Sequence, residues 1–180
     1  MKRRIFISID IPEKSKKRLF NAVSAWQDLP VKWVREENLH ITLVFLGLVS
    51  DDAIAEICSS VRKTVEKHEI FDLEFTEISL APDRKNPKMV WLTGNANEEL
   101  KILQENIEKT LGIFAAPKKS FAPHIALGRI RARKWGELES KPEIMVKFPM
   151  IVGVCSVEIV ASNFEGDGPE YTIIESCPLT

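Results

Sequence analysis

The sequence is poor in the residues that mark several common kinds of protein. Its 180 residues include only three cysteines, Cys58, Cys155 and Cys177. They are odd in number, far apart and in no CxxC pair, which argues against a disulfide framework and fits a reducing, cytoplasmic setting; we read all three as packing residues. No apolar run is long enough to span a bilayer, so no membrane partner is expected. Met1-Lys2-Arg3-Arg4 runs straight into a strand-like stretch, without the length or cleavage site of a signal peptide. Neither sign of charge prevails: 25 basic against 26 acidic residues give a net charge of −1. Any contact with nucleic acid must therefore come from a local patch. The GxSxG signal of a serine hydrolase is missing, as are the glycine-rich loops that cradle phosphates.

What is present is an apolar stretch, Leu39-His40-Ile41-Thr42-Leu43-Val44-Phe45-Leu46-Gly47, that carries a histidine and a threonine two residues apart. Read as a strand, it places His40 and Thr42 on one face and Ile41, Leu43 and Phe45 on the other, which faces a core. An imidazole and a hydroxyl then project together from a rigid element. A partner stretch, Phe121-Ala122-Pro123-His124-Ile125-Ala126-Leu127-Gly128, again puts a histidine on one strand face, with Ile125 and Leu127 on the other.

Around these two stretches the pattern is mixed. A strand over 5–9 precedes a helix that starts near Pro12, with Leu19, Val23 and Trp26 at helical spacing. Lys14, Lys16, Lys17 and Arg18 read as its solvated side. A short strand over 31–35 and a turn at 36–38 lead into the His40 strand. Trp33 there could pack in the core or offer a face to a nucleobase, as could Phe45. A second helix follows Ser50, with Ile54, Ile57, Val61 and Val65 on one face. His68 beyond it reads as solvent-facing.

Strands over 71–80 and 89–93 are joined by a basic loop. A third helix from Asn97 buries Leu100, Leu103, Ile107 and Leu111 and stops at Gly112. After the His124 strand come the basic run Arg129-Ile130-Arg131-Ala132-Arg133-Lys134, a helical turn over 135–140, strands over 143–148, 152–162 and 171–175, and a turn over 166–169. Short connections between neighbouring strands argue for antiparallel pairing, and regular βαβ alternation is missing, so the fold class is α+β. The two histidine strands act as a weak internal duplication, which predicts two lobes facing each other across a cleft.

Two imidazoles on opposite sides of a substrate can act together as general acid and general base, because imidazole titrates near neutrality. Opening a cyclic phosphate needs that pair: water is deprotonated on one side of phosphorus and the leaving oxygen protonated on the other. The Thr42 hydroxyl can donate to a phosphoryl oxygen, and arginine can neutralise the remaining charge. Metal chemistry is the competing use of histidine. Neither motif has a second histidine or an acid at a familiar ligand spacing, so no metal or other cofactor is expected.

Val31-Lys32-Trp33-Val34, Asn38-Leu39-His40-Ile41-Thr42-Leu43, Phe45-Leu46-Gly47 and Phe121-Ala122-Pro123-His124-Ile125-Ala126-Leu127-Gly128-Arg129 resemble the two-histidine phosphoesterases. Within them the chain is most similar to the RNA 2′,3′-cyclic 3′-phosphodiesterases, also called 2′-5′ RNA ligases, over nearly its whole length. The resemblance implies one bilobal α+β domain over residues 1–180. Two antiparallel sheets would face each other across a central cleft, with helices packed outside and one histidine motif from each lobe. It also implies metal-independent hydrolysis of RNA ends bearing 2′,3′-cyclic phosphate to a 2′-phosphate. By position in the motifs, His40 is the general acid that protonates the departing 3′ oxygen and His124 the base that activates water. Thr42 and Arg129 hold the phosphate.

Two features depart from the family. Its second motif has threonine or serine where this chain has Ala126, so one hydroxyl is missing. Strict alternation also puts Arg129 on the strand face opposite His124; a bulge at Gly128 would turn it back. Besides hydrolysis, the sequence leaves open reversal as a 2′-5′ RNA ligase, and a module that binds RNA ends with little or no turnover. The partners expected are RNA ends, with tRNA fragments, short oligonucleotides and small cyclic nucleotides all open as substrate. A monomer is expected.

Overall fold

The structure is a computed structural model that describes residues 1–113, 121–165 and 168–180. In chain order the elements are β1 (Lys2–Asp10), α1 (Glu13–Val23), a 3₁₀ turn (Ser24–Trp26), β2 (Val31–Trp33), a second 3₁₀ turn (Glu36–Asn38), β3 (His40–Ser50), α2 (Asp51–Val65), β4 (Phe71–Ala81), β5 (Met89–Gly94), α3 (Glu98–Thr110), β6 (His124–Ile130), α4 (Ala132–Gly136), β7 (Met145–Val154), β8 (Ser156–Glu165) and β9 (Gly168–Pro178). The strands form two sheets, ordered β3-β1-β8-β9 and β2-β6-β5-β4-β7. Every pairing is antiparallel, and the α+β class expected from short connections is what forms.

Period-2 alternation gives each sheet one apolar face toward the core, and in β1 and β8 of the first sheet Phe6, Ser8, Glu158 and Val160 on the opposite face are buried as well. Ile5, Ile7 and Ile9 of β1, Ile41 of β3, and Val157, Ile159 and Ala161 of β8 are all buried on one face of the first sheet. Helix α2 packs against this sheet at β3, β8 and β9, and α3 packs against α2 and β3. Gln104 of α3 donates to the Leu43 carbonyl of β3 at 2.7 Å. Helix α3 is capped by Asn97, whose side chain accepts from the Leu100 amide, and Gly112 past its end sits at φ 67°, which favours glycine. In the second sheet Ile78, Val90, Leu92, Ile125 and Leu127 are buried together. Helix α1 lies by β7, where Arg18 sits 4.8 Å over the Phe148 ring. The two sheets approach each other along β3 and β6, the strands that begin at the two histidines.

Several local expectations are corrected. Phe45 is 76 % exposed, not in the core. The pairing of β3 with β1 slips between Ile7 and Ser8, leaving Leu43 as an extra residue; Leu43 and Val44 are then buried in succession, and Phe45 emerges on the opposite face, beside Phe6. Lys16 is not solvated: it is 4 % exposed and its Nζ meets Asp10 Oδ1 at 2.8 Å. The strand expected over 152–162 is two strands that break at Cys155, which is exposed rather than packed, while Cys58 and Cys177 are buried. Of the turn expected over 166–169, residues 166 and 167 lie outside the described residues, and Gly168 and Pro169 already belong to β9.

Candidate active site

His40 opens β3. Its Nδ1 lies 2.7 Å from the Asn38 carbonyl and its Nε2 lies 2.9 Å from Thr42 Oγ1. A carbonyl only accepts, so Nδ1 carries the proton and Nε2 faces the hydroxyl. The alternation read from the sequence thus holds for this pair. The segment that supplies the carbonyl is itself tied down: Asn38 is buried, its Nδ2 donates to the Pro169 carbonyl at 2.9 Å, and Arg35 Nη2 donates to the same oxygen at 2.7 Å. The imidazole also packs against Phe6, with ring centroids 5.0 Å apart, and meets Tyr171 edge-on at 5.4 Å. Burial among these groups lowers its pKa. The Asn38 carbonyl and Asp10 pull the other way, and Lys16 adds a small lowering.

His124 opens β6 and is arranged in parallel. It hydrogen-bonds the backbone of Ala122, the residue two positions ahead of it, as Asn38 is for His40. The residue two positions beyond it is Ala126, so nothing there matches the Thr42 hydroxyl. Trp91 of β5 stacks on the ring instead, with centroids 4.0 Å apart and planes 20° from parallel. Burial again lowers the pKa, the Ala122 hydrogen bond opposes this, and the charge of His40 lowers it further. The two imidazoles come from different sheets, at the starts of the two strands along which those sheets approach each other.

The bulge expected at Gly128 is found one residue earlier. Pairing of β5 with β6 matches Trp91 to Ala126 and Val90 to Gly128, so Leu127 is the extra residue. Leu127 and Gly128 both turn inward, and Arg129 returns to the face that carries His124, Ala126 and Trp91. Gly128 is required by the packing beneath it, since a Cβ there would fall 2.5 Å from Val31 Cγ1 and 2.9 Å from Trp33 Cε3. Arg129 is exposed. Trp33, left open between core and substrate, packs on the core side of β6.

Sequence reasoning missed Phe6, Trp91 and Tyr171 as neighbours of the histidines, as well as Asp10 and Lys16. Trp91 alternates with Val90 and Leu92, both fully buried, and that alternation is the one signal that could have placed it on an outward face. His68 is outside the site and its Nε2 lies 3.2 Å from Asn106 Nδ2. Among the described residues, no three His, Cys, Asp or Glu side chains converge to hold a metal ion, and no helix is long and apolar enough to cross a membrane.

Comparison with known proteins gives a consistent result. The LigT like Phosphoesterase family matches residues 9–91. An RNA 2′,3′-cyclic phosphodiesterase of Aeropyrum pernix is 34 % identical over 150 residues, covering 79 % of this chain and 83 % of that protein. One of Thermotoga maritima is 29 % identical over 180 residues, covering 97 % and 94 %. The crystal structure of E. coli LigT complexed with 3′-AMP superposes with a TM-score of 0.80 at 23 % identity, covering 100 % of this chain and 99 % of that one, which fixes the fold.

Proposed function

We propose, from the premise that the chain belongs to the LigT like Phosphoesterase family, that it is an RNA 2′,3′-cyclic phosphodiesterase, a hydrolase that opens cyclic phosphate ends of RNA to 2′-phosphates. The observation that carries this reading is the pair of half-buried imidazoles, one per sheet, each hydrogen-bonded to the backbone two residues ahead of it. A ring with one N–H so engaged has its other nitrogen left for proton transfer to or from a substrate. In this reading residues 1–180 are a single bilobal domain, and each lobe contributes one motif: His40-Ile41-Thr42-Leu43 and His124-Ile125-Ala126-Leu127.

His124 takes a proton from water on one side of phosphorus, and His40 gives one to the departing 3′ oxygen on the other. The O–P bond to the 3′ oxygen breaks, the water oxygen joins phosphorus, and the 2′ ester remains. Thr42 donates to a phosphoryl oxygen, and Arg129, exposed on the His124 face, offsets its charge. Substrates are RNA ends, tRNA fragments among them. The protein acts as a monomer in the cytoplasm, where its three free cysteines are stable.

A second reading, an RNA-end-binding module with little turnover, is favoured by one observation: Ala126 offers no hydroxyl. Incubation of an oligoribonucleotide ending in 2′,3′-cyclic phosphate, with EDTA, separates the two. The hydrolase reading expects a 2′-phosphate from the native chain and none from His40→Ala or His124→Ala. Tight binding of that RNA without conversion would establish the module instead. Formation of 2′-5′ linked products from two RNA ends would reveal the reverse reaction.

A further inference from the structure

We propose that Trp91 is the positioning residue of His124, its indole face holding the imidazole in the cleft and favouring the imidazolium formed when that ring takes a proton from water. The proposal rests on the hydrolase reading above and deepens it.

The two histidines are restrained unequally. His40 is engaged at both ring nitrogens, by the Asn38 carbonyl and the Thr42 hydroxyl. His124 has its hydrogen bond to the Ala122 backbone, and the side chain two residues on is a methyl. Alone, that bond leaves the ring free to rock about it. Trp91 supplies the missing restraint: it stands directly opposite Ala126 in the β5–β6 ladder, and its ring leans onto His124 at 4.0 Å, 20° from parallel. The small Ala126 side chain leaves room for that lean. Trp91 is not needed for the core, which Val90 and Leu92 on the other face of β5 already fill.

A stacked indole also changes which charge state is favoured. Its negative face attracts a cation above it, an effect equivalent to roughly three- to thirtyfold in proton affinity. A base gains its positive charge during the reaction, so this attraction grows along the reaction and acts on the barrier. The same ring excludes water, which works against the cation. Charged groups on the surrounding elements are Arg129 on its own strand, Lys32 on β2, Glu77 paired with Arg84 on β4, and His40 across the cleft; of these, His40 is the one whose charge registers at His124.

Trp91→Leu keeps an apolar cover and removes the π face, whereas Trp91→Phe keeps both. Two readouts apply to each variant: the pH titration of the His124 imidazole by NMR, assigned by its loss in His124→Asn, and the pH dependence of kcat/KM on the cyclic-phosphate oligonucleotide. For Trp91→Leu the His124 titration and the acidic limb of kcat/KM are expected to move down together, by about half a pH unit or more. Its kcat should fall roughly five- to thirtyfold at little change in KM. Trp91→Phe should stay within about threefold of the native chain. Native-like titration and turnover in a folded Trp91→Leu would overturn the proposal, as would equal losses in folded Leu and Phe variants. The titration needs no turnover, so a chain that hydrolyses nothing would sink the hydrolase reading while still deciding what Trp91 does to His124.

Discussion

The Thr42 hydroxyl lies 2.9 Å from His40 Nε2, while His40 Nδ1 is committed to a backbone carbonyl. One hydroxyl therefore touches the ring nitrogen that the backbone leaves open, the one through which the proposed proton transfer would run. Thr42→Val keeps the shape of the side chain and removes the oxygen. A hydrogen bond to a charged group contributes about 1.5–3 kcal/mol, so kcat/KM is expected to drop roughly ten- to a hundredfold, with Thr42→Ser near native. Steady-state kinetics of the two variants provide the check; equal losses would assign Thr42 to packing instead.

Ala126 makes the opposite experiment possible. Ala126→Ser adds a hydroxyl on the His124 face, across the ladder from Trp91. If the phosphate lies between the two motifs, kcat/KM should rise by up to about tenfold, within the range of one added hydrogen bond. An unchanged rate would mean that Arg129 or water already satisfies that phosphoryl oxygen.

Gly128 couples stability to the site. A Cβ there would overlap Val31 Cγ1 and the Trp33 ring, neither of which is the free end of a flexible chain. Gly128→Ala should cost about 1–3 kcal/mol, read as a lower urea midpoint at unchanged m-value. Because Gly128 and Leu127 form the bulge that turns Arg129, the variant should also raise KM for the cyclic-phosphate RNA. A loss of stability with native KM would uncouple the bulge from Arg129.

The pH dependence of turnover follows from the two depressed imidazoles. Burial lowers both His40 and His124 from 6.5. Under the proposed roles, His40 in the free enzyme must hold its proton while His124 has lost its own, so kcat/KM should be bell-shaped with its alkaline limb falling below pH 6.5. A bound phosphate anion favours imidazolium and should move the limbs of kcat to higher pH than those of kcat/KM. A kcat/KM that stays level from pH 6 to 9 would contradict this assignment of acid and base.

Stability should follow the same groups. His40, His68 and His124 are all lowered in the folded chain. As pH falls below 6.5 the unfolded chain takes up protons that the folded chain still refuses, so stability is lost on the acid side and is greatest above that pH. Thermal melting across pH 5–8 should show a falling midpoint toward acid, flatter in His40→Asn/His124→Asn.

The local half of the site was legible in the sequence because strand alternation is a property of the chain itself. The period of two puts His40 and Thr42 on one side and Ile41 on the other whatever lies nearby, and the spacing of apolar residues marked α2 and α3 in the same way. The return of Arg129 could be anticipated only with the family resemblance, which assigns it to the His124 face, a place that unbroken alternation denies it. Phe45 shows where this reasoning stops. Its face depends on a slip in the β1–β3 register, and a slip is decided by two strands packing together.

The sequence by itself therefore determined which strand faces His40, Thr42, His124 and Ala126 take within an unbroken stretch. Tertiary structure decided the company they keep. Trp91 reaches His124 across the β5–β6 register, and Phe6 and Tyr171 reach His40 from strands distant in the chain. Lys16 is buried because Asp10 stands beside it. Side-chain alternation follows from bonds within one strand, whereas register, bulges and burial follow from the partner strands and helices that the folded chain brings together.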